Sequence, residues 1–146
     1  MKENRLEKKF IYYEGDDSYN FFILNSMFKK KFPKRIVNTI YFDTASHKDV
    51  WDNVNGFGNR KKTRVRWYNK LENSDVFFEE KKKINFITQK KIIKMGKFRD
   101  FKELSNFINS DKFLNSYYLS NYKNNFYKSI FIQYERNYFE LSDKKI

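Results

Sequence analysis

Residues 60–84 read RKKTRVRWYNKLENSDVFFEEKKKI, and the alternation within them decides the architecture. In a β-strand successive side chains point to opposite faces. Arg60, Lys62, Arg64 and Arg66 therefore share one face of a strand over 60–68, with Tyr68 after them. Lys61, Thr63, Val65 and Trp67 share the other face, which turns apolar toward its end. Residues 69–75 are turn-like, and Val76–Ile84 returns as a strand with Glu79, Lys81 and Lys83 on one face and Val76, Phe78 and Ile84 on the other. Two such runs joined by a short polar segment read as a β-hairpin.

The same pattern recurs outward from this hairpin. Arg5 to Tyr13 is strand-like, with Arg5, Glu7 and Lys9 opposite Leu6, Phe10 and Tyr12. Asp16-Asp17-Ser18 resembles a helix cap, and Tyr19, Phe22, Ile23 and Met27 follow at helical spacing. Lys29-Lys30-Lys31 suits the C-terminal end of that helix, with Pro33 as its stop. Ile36–Asp43 reads as a strand, followed by a loop with Asn55, Gly56 and Gly58. Phe86 to Ile93 extends or follows the central hairpin. From Asp100 to about Tyr122 one or two helices are expected, with Phe101, Leu104, Phe107 and Ile108 on one face and a break at residues 121–125. Ile130–Leu141 is a last strand, with Arg136 beside Tyr134 and Tyr138. The class is α+β, with antiparallel strands outnumbering helices.

Composition limits the chemistry. The 146 residues carry 31 − 18 = +13 formal charges, and 40% are hydrophobic, enough for one domain (residues 1–146) with its own core. No apolar run is long enough for a membrane span, and the first residues lack the apolar stretch of a signal peptide, so a cytoplasmic domain is expected. Without cysteine there are no disulfides, thiolate catalysis or Cys-ligated zinc. The single histidine, His47, in a polar loop and read as a surface residue, excludes His-pair metal sites. The abundance of Lys, Asn, Ile, Phe and Tyr, with one alanine at Ala45, matches A/T-rich codon usage. The placement of the basic residues is therefore more informative than their number.

Each strand pairs a cationic or mixed-charge face with a largely apolar one. A solvent-exposed sheet fits this, and so does a barrel with a polar lumen and helices packed on its outer wall. The second accounts for the helices with strong apolar faces. A lumen lined by Arg and Lys needs water and an anion, because like charges repel and desolvation is costly. The seven arginines include Arg5, Arg64, Arg66 and Arg136 on these faces, besides Arg60 at the start of the strand over 60–68. The planar guanidinium matches phosphate oxygens in a bidentate way that lysine cannot.

Five pieces in order carry a resemblance: Arg5-x-Glu7-x-Lys9-Phe10, Thr39-Ile40-Tyr41-Phe42-Asp43, Lys62-Thr63-Arg64-Val65-Arg66-Trp67-Tyr68, Phe77-Phe78-Glu79-x-Lys81-x-Lys83, and Tyr134-x-Arg136. Together they resemble the VTC (vacuolar transporter chaperone) domain, the polyphosphate polymerase branch of the triphosphate tunnel metalloenzymes. The resemblance implies an antiparallel β-tunnel with flanking helices and basic residues lining its inner face. It implies transfer of the terminal phosphate of ATP to a growing polyphosphate chain, assisted by a divalent metal, Mn²⁺ or Mg²⁺. Lys9, Arg64, Arg66, Lys81 and Arg136 would be the catalytic phosphate-gripping residues. Arg5, Lys62 and Lys83 would add phosphate contacts. Glu7 and Glu79 are the metal candidates, although both are read first as ion-pair partners, Glu79 for Arg64 or Lys81 across the hairpin. The wider superfamily has E-x-E-x-K where this chain has Arg5-x-Glu7-x-Lys9, which suits the polymerase branch better than the triphosphatases. The resemblance spans about the first two-thirds of the family domain. The implied tunnel is therefore partial, truncated at its C-terminal side, and completed by a second chain or copy if it is to close.

Two other readings remain beside the polymerase. One is a non-catalytic module that binds or senses polyphosphate or inositol pyrophosphate. The other is nucleic-acid binding through a basic sheet with aromatics. Tyr41, Phe42, Trp67 and Tyr68 are read mainly as wall packing, with one of them able to hold an adenine, and Asp43 as a turn residue.

Overall fold

The computed structural model describes residues 11, 13, 15, 28–116 and 126–141. The expected first strand, Arg5–Tyr13, and the helix through Tyr19–Met27 fall essentially outside these residues, as do Arg5, Glu7 and Lys9. The chain divides into two compact units, one of residues 34–136 and one of residues 1–33 with 137–146. Within the latter, Phe32 and Tyr138 meet edge to face at 5.8 Å and Lys31 pairs with Glu140 at 2.6 Å.

Five strands form one sheet in the order β4-β3-β2-β1-β5. They are β1 (Phe28–Asp43), β2 (Arg60–Tyr68), β3 (Val76–Ile84), β4 (Ile87–Gly96) and β5 (Tyr127–Leu141). β1–β2, β2–β3 and β3–β4 pair antiparallel. β5 lies along β1, tied by Lys34–Glu135 at 3.0 Å and by Gln133 donating to Asn38 Oδ1 at 2.7 Å. Among the described residues the sheet is open, the partial form of the expected tunnel wall. The β2–β3 hairpin is present with the boundaries its alternation implies.

The apolar face of β2 makes the core. Val65 and Trp67 pack with Ile40 and Phe42 of β1 and Val76 and Phe78 of β3. Over them lie two short helices, α2 (Phe101–Ile108) and α3 (Asp111–Ser116), which contribute Leu104, Ile108 and Phe113. Asp100 caps α2 by accepting from the Glu103 N–H at 2.8 Å, while Glu103 reaches back to the Arg99 N–H at 2.7 Å, a near relative of the capping box. Phe101, expected on the buried stripe, is 54% exposed. It sits in the first turn, at the rim of the core, where its ring lies 6.4 Å from that of Trp67.

Two stretches differ from the sequence reading, and one settles an alternative it left open. Lys29–Lys31 and Pro33, expected to end a helix, lie inside β1. The β1–β2 register runs from Val37↔Tyr68 to Phe42↔Thr63, so Pro33 precedes that ladder and removes no bond from it. β4 follows the hairpin through the two-residue turn Asn85-Phe86, since Ile84 pairs with Ile87. Asn85 takes the left-handed conformation there, at φ 52°, which tight hairpin turns require of one or both central residues. Finally, the loop expected before Gly56 begins as a helix, α1 (Lys48–Val54).

The origin of α1 explains why it is hard to foresee. Its N-cap position is His47, exposed as expected, with φ 54° and no capping side-chain bond. The first three helical N–H groups are satisfied from further back. Lys48 N–H donates to Thr44 Oγ1 at 3.1 Å, and those of Asp49 and Val50 donate to the two carboxylate oxygens of Asp43, both at 2.9 Å. Asp43, fully buried at the end of β1, is thus both the turn residue expected and a remote helix cap.

Candidate functional site

Strand register sets the site. On the face opposite the helices, cross-strand neighbours form rows through the sheet. One row runs Tyr41–Arg64–Glu79–Ile92 and the next runs Thr39–Arg66–Phe77–Lys94. Beyond them lie Lys62–Lys81–Lys90 and Arg60–Lys83–Thr88. Gln133 contacts Asn38, a residue of the other face, so alternation along β5 places Tyr134 and Arg136 on this basic face.

Glu79 is the hub of the first two rows. Its Oε2 accepts from Arg64 Nε at 2.7 Å and lies 2.5 Å from a second Arg64 nitrogen, in the pairing position read from the hairpin. Arg66 approaches the same oxygen at 3.8 Å, and Lys90 stands 3.8 Å from the other oxygen. Each arginine is also steadied from β1: Arg64 donates to the Tyr41 hydroxyl at 3.2 Å, and Arg66 Nε to Thr39 Oγ1 at 3.2 Å. Arg66 is 8% exposed and Glu79 6%. Three cations around one carboxylate leave 3 − 1 = +2 on this cluster.

The electrostatics of Arg64 follow from these contacts. Burial opposes its charge, but the hydrogen bond to Tyr41 and the attraction of Glu79 outweigh it and hold the guanidinium above its ordinary pKa. Every Arg keeps five N–H donors. Arg66 directs one to Thr39 and leans another toward Glu79, so the rest of its fork remains for an oxyanion.

The neighbouring rows are built differently. Arg60 faces Lys83, and Lys62 faces Lys81 with Lys90 beyond it. Like charges directly opposite destabilise a sheet by a few tenths to ~1 kcal/mol per pair. Lys81 is exposed and forms no ion pair with a described residue. Arg136 is exposed as well and donates to the Tyr134 hydroxyl at 2.8 Å. Arg64, Arg66, Lys81, Lys62 and Lys83 are therefore brought onto one face of the hairpin, with Arg136 on the same face of β5.

Sequence reasoning missed Thr39, which steadies Arg66, and Lys90, which completes the Glu79 cluster. Thr39 stands in the quoted Thr39-Ile40-Tyr41 piece, at the same parity as Tyr41. Lys90 needed the length of the β3–β4 turn. Phe42 and Trp67 lie on the core face, where they stack on Phe126 at 5.5 Å and Phe131 at 6.0 Å, so neither can hold a base on the basic face.

Glu79 is enclosed by three cations, and no group of three His, Asp or Glu side chains suited to a metal occurs among the described residues. No described helix is long and apolar enough to cross a membrane. A comparison with curated proteins finds no match. The family model described as the VTC domain matches residues 7–146.

Proposed function

The chain belongs to the VTC domain family, and from that premise we propose that its basic sheet face binds the triphosphate of ATP and the phosphoanhydride chain of polyphosphate, transferring the terminal phosphate of one to the other. The observation that carries this reading is the arginine pair on adjacent rows, Arg64 and Arg66, fixed by one carboxylate and two hydroxyls. Fixed guanidinia present their donors without first losing side-chain freedom, and phosphoryl transfer depends chiefly on positioning and charge neutralisation. In the step itself, the bond from the terminal phosphorus to the ADP oxygen breaks. A bond from that phosphorus to the terminal oxygen of the polyphosphate forms, and ADP leaves. No protein nucleophile is required, in keeping with a chain that has no cysteine and one histidine.

In this reading Arg64 and Arg66 grip the reacting phosphates, while Lys81, Arg136 and Lys9 hold the flanking ones. Lys62, Lys83 and Arg5 add weaker contacts. A divalent ion, Mn²⁺ or Mg²⁺, arrives as the counter-ion of the phosphates, which supply most of its ligands in such substrates. The compartment is cytoplasmic, where ATP is available, and a second chain or copy would complete the tunnel.

A second reading, a non-catalytic polyanion-binding module, is favoured by one specific observation: Glu79 is bound to Arg64 and has two further cations at 3.8 Å, a setting that suits an ion-pair partner better than a metal ligand. For nucleic-acid binding, Phe42 and Trp67 are core residues and offer no stacking surface, which leaves Tyr41, Phe77 and Tyr134 as aromatics beside the cations of the basic face.

Incubation with ATP and Mn²⁺, followed for polyphosphate formation and for polyphosphate binding, tests these readings together. Synthesis abolished by Arg64→Ala with Arg66→Ala supports the polymerase. Binding that needs the same arginines without ATP turnover supports the sensor. Binding indifferent to both substitutions rejects the site.

A further inference from the structure

The far end of the β3–β4 hairpin is apolar where an ordinary hairpin turn is polar. Ile84 and Ile87 face each other across the turn, and Phe86 between them is 99% exposed. Ile84 and Ile87 are exposed too. The tip is held firmly. The Asn85 N–H donates to Gly58 O at 3.1 Å and to Asn59 Oδ1 at 3.2 Å, which ties the preceding loop, with its exposed Phe57, beside the turn. The approach is close: a Cβ at Gly58 would stand 3.2 Å from Asn85 Oδ1.

Cations stand directly behind the tip. Arg60 opposes Lys83, Lys61 opposes Lys82, and Lys91 follows on β4. Glu80 lies 3.2 Å from Lys82, and Asp49 lies 3.6 Å from Lys61.

We propose that this tip docks on an anionic lipid bilayer, with Phe86 and Ile87 entering the headgroup–acyl boundary and the lysines behind them meeting lipid phosphates. Exposed apolar groups with basic residues beside them have this preference. The shape selects lipid over a protein partner. A stable protein interface covers ~800 Å² on each side with close complementarity, whereas a two-residue turn is a convex wedge that a fluid surface accepts without a matching pocket. The inference is separate from the polyphosphate reading, because Phe86 and Ile87 are not among its phosphate ligands.

The test is co-sedimentation of the full chain with phosphatidylserine–phosphatidylcholine vesicles and with phosphatidylcholine vesicles alone. Binding is expected only to the anionic vesicles. Phe86→Asp with Ile87→Asp should lower the partition coefficient roughly tenfold or more, with circular dichroism and polyphosphate binding unchanged, since both side chains are exposed. Lys82→Glu and Lys91→Glu should each lower it about fivefold, in a salt-dependent way. A Phe86→Trp variant should shift its emission to the blue on anionic vesicles. Anionic-vesicle binding that survives Phe86→Asp with Ile87→Asp would assign the attraction to the basic sheet alone and overturn the proposal. Phe86-dependent capture of polyglutamate without vesicle binding would overturn it in favour of an acidic protein partner.

Discussion

The two ends of the β2–β3 hairpin use the same residue types in opposite ways. Toward Trp67, Arg64 and Arg66 share Glu79 and each leans on a β1 hydroxyl, so their positive charge is part of the fold. Toward the β3–β4 turn, Arg60 faces Lys83 and Lys62 faces Lys81, cation against cation. Charge at the first end is anchored, three cations around one carboxylate. Charge at the second meets like charge across the strands, which costs the sheet stability. A basic surface therefore divides into a part whose cations are anchored by side chains and a part where cation is set against cation, and the position of one glutamate draws the boundary.

Removing that glutamate should have the largest effect. Glu79→Ala leaves two guanidinia without their carboxylate, one of them buried, and should lower unfolding free energy by about 3 kcal/mol, read from the urea midpoint. Glu79→Gln, which keeps an acceptor, should lose less. An unchanged midpoint would mean that water already compensates both arginines and that the two ends do not differ.

Reversing charge at the other end should act with the opposite sign. Lys81→Glu places a carboxylate between Lys62 and Lys90 and should raise stability by about 0.5 kcal/mol while weakening polyphosphate binding. Stability and affinity moving down together would show that the lysine row is already satisfied in the free protein.

The smallest expected effect is a pH slope. Burial pushes the Asp49 carboxyl above its ordinary 3.8, against the pull of Lys61. The folded chain then holds this proton more tightly than the unfolded chain, so the group's contribution to stability declines as pH rises from below 3.8 through the folded-state value. Asp49→Asn should therefore gain on the parent chain over that interval in denaturation curves at several pH values. A constant difference would show that Lys61 cancels the burial.

Much of this was legible in the amino-acid order because it rests on local periodicity. Alternation in Arg60–Tyr68 and Val76–Ile84 sufficed for both strands and their facing, and narrowed the partner of Glu79 to Arg64 or Lys81, of which the structure shows Arg64. The helical stretch was expected from Asp100, which caps α2. The parts that were not legible depend on distant partners. Lys29–Lys31 before Pro33 looks like a helix end unless the extended path of β1 is known. The cap of α1 comes from Asp43 and Thr44, outside the usual N-cap position. Lys90 and Thr39 join the arginine cluster only through register, which depends on turn length and neighbouring strands and not on the residues' own identity. Phe101 has core spacing but lies in the first turn, where the stripe runs out past Trp67.

Asp43 links a strand to a helix through both of its carboxylate oxygens. A slip of β1 by one residue would turn every side chain along it to the opposite face, carrying that carboxylate away and leaving the Asp49 and Val50 amides bare. Seven residues are too few to stay helical in isolation. The short helix thus serves as a proofreader of alignment: it persists only while Thr39 and Tyr41 stand opposite the two arginines they steady.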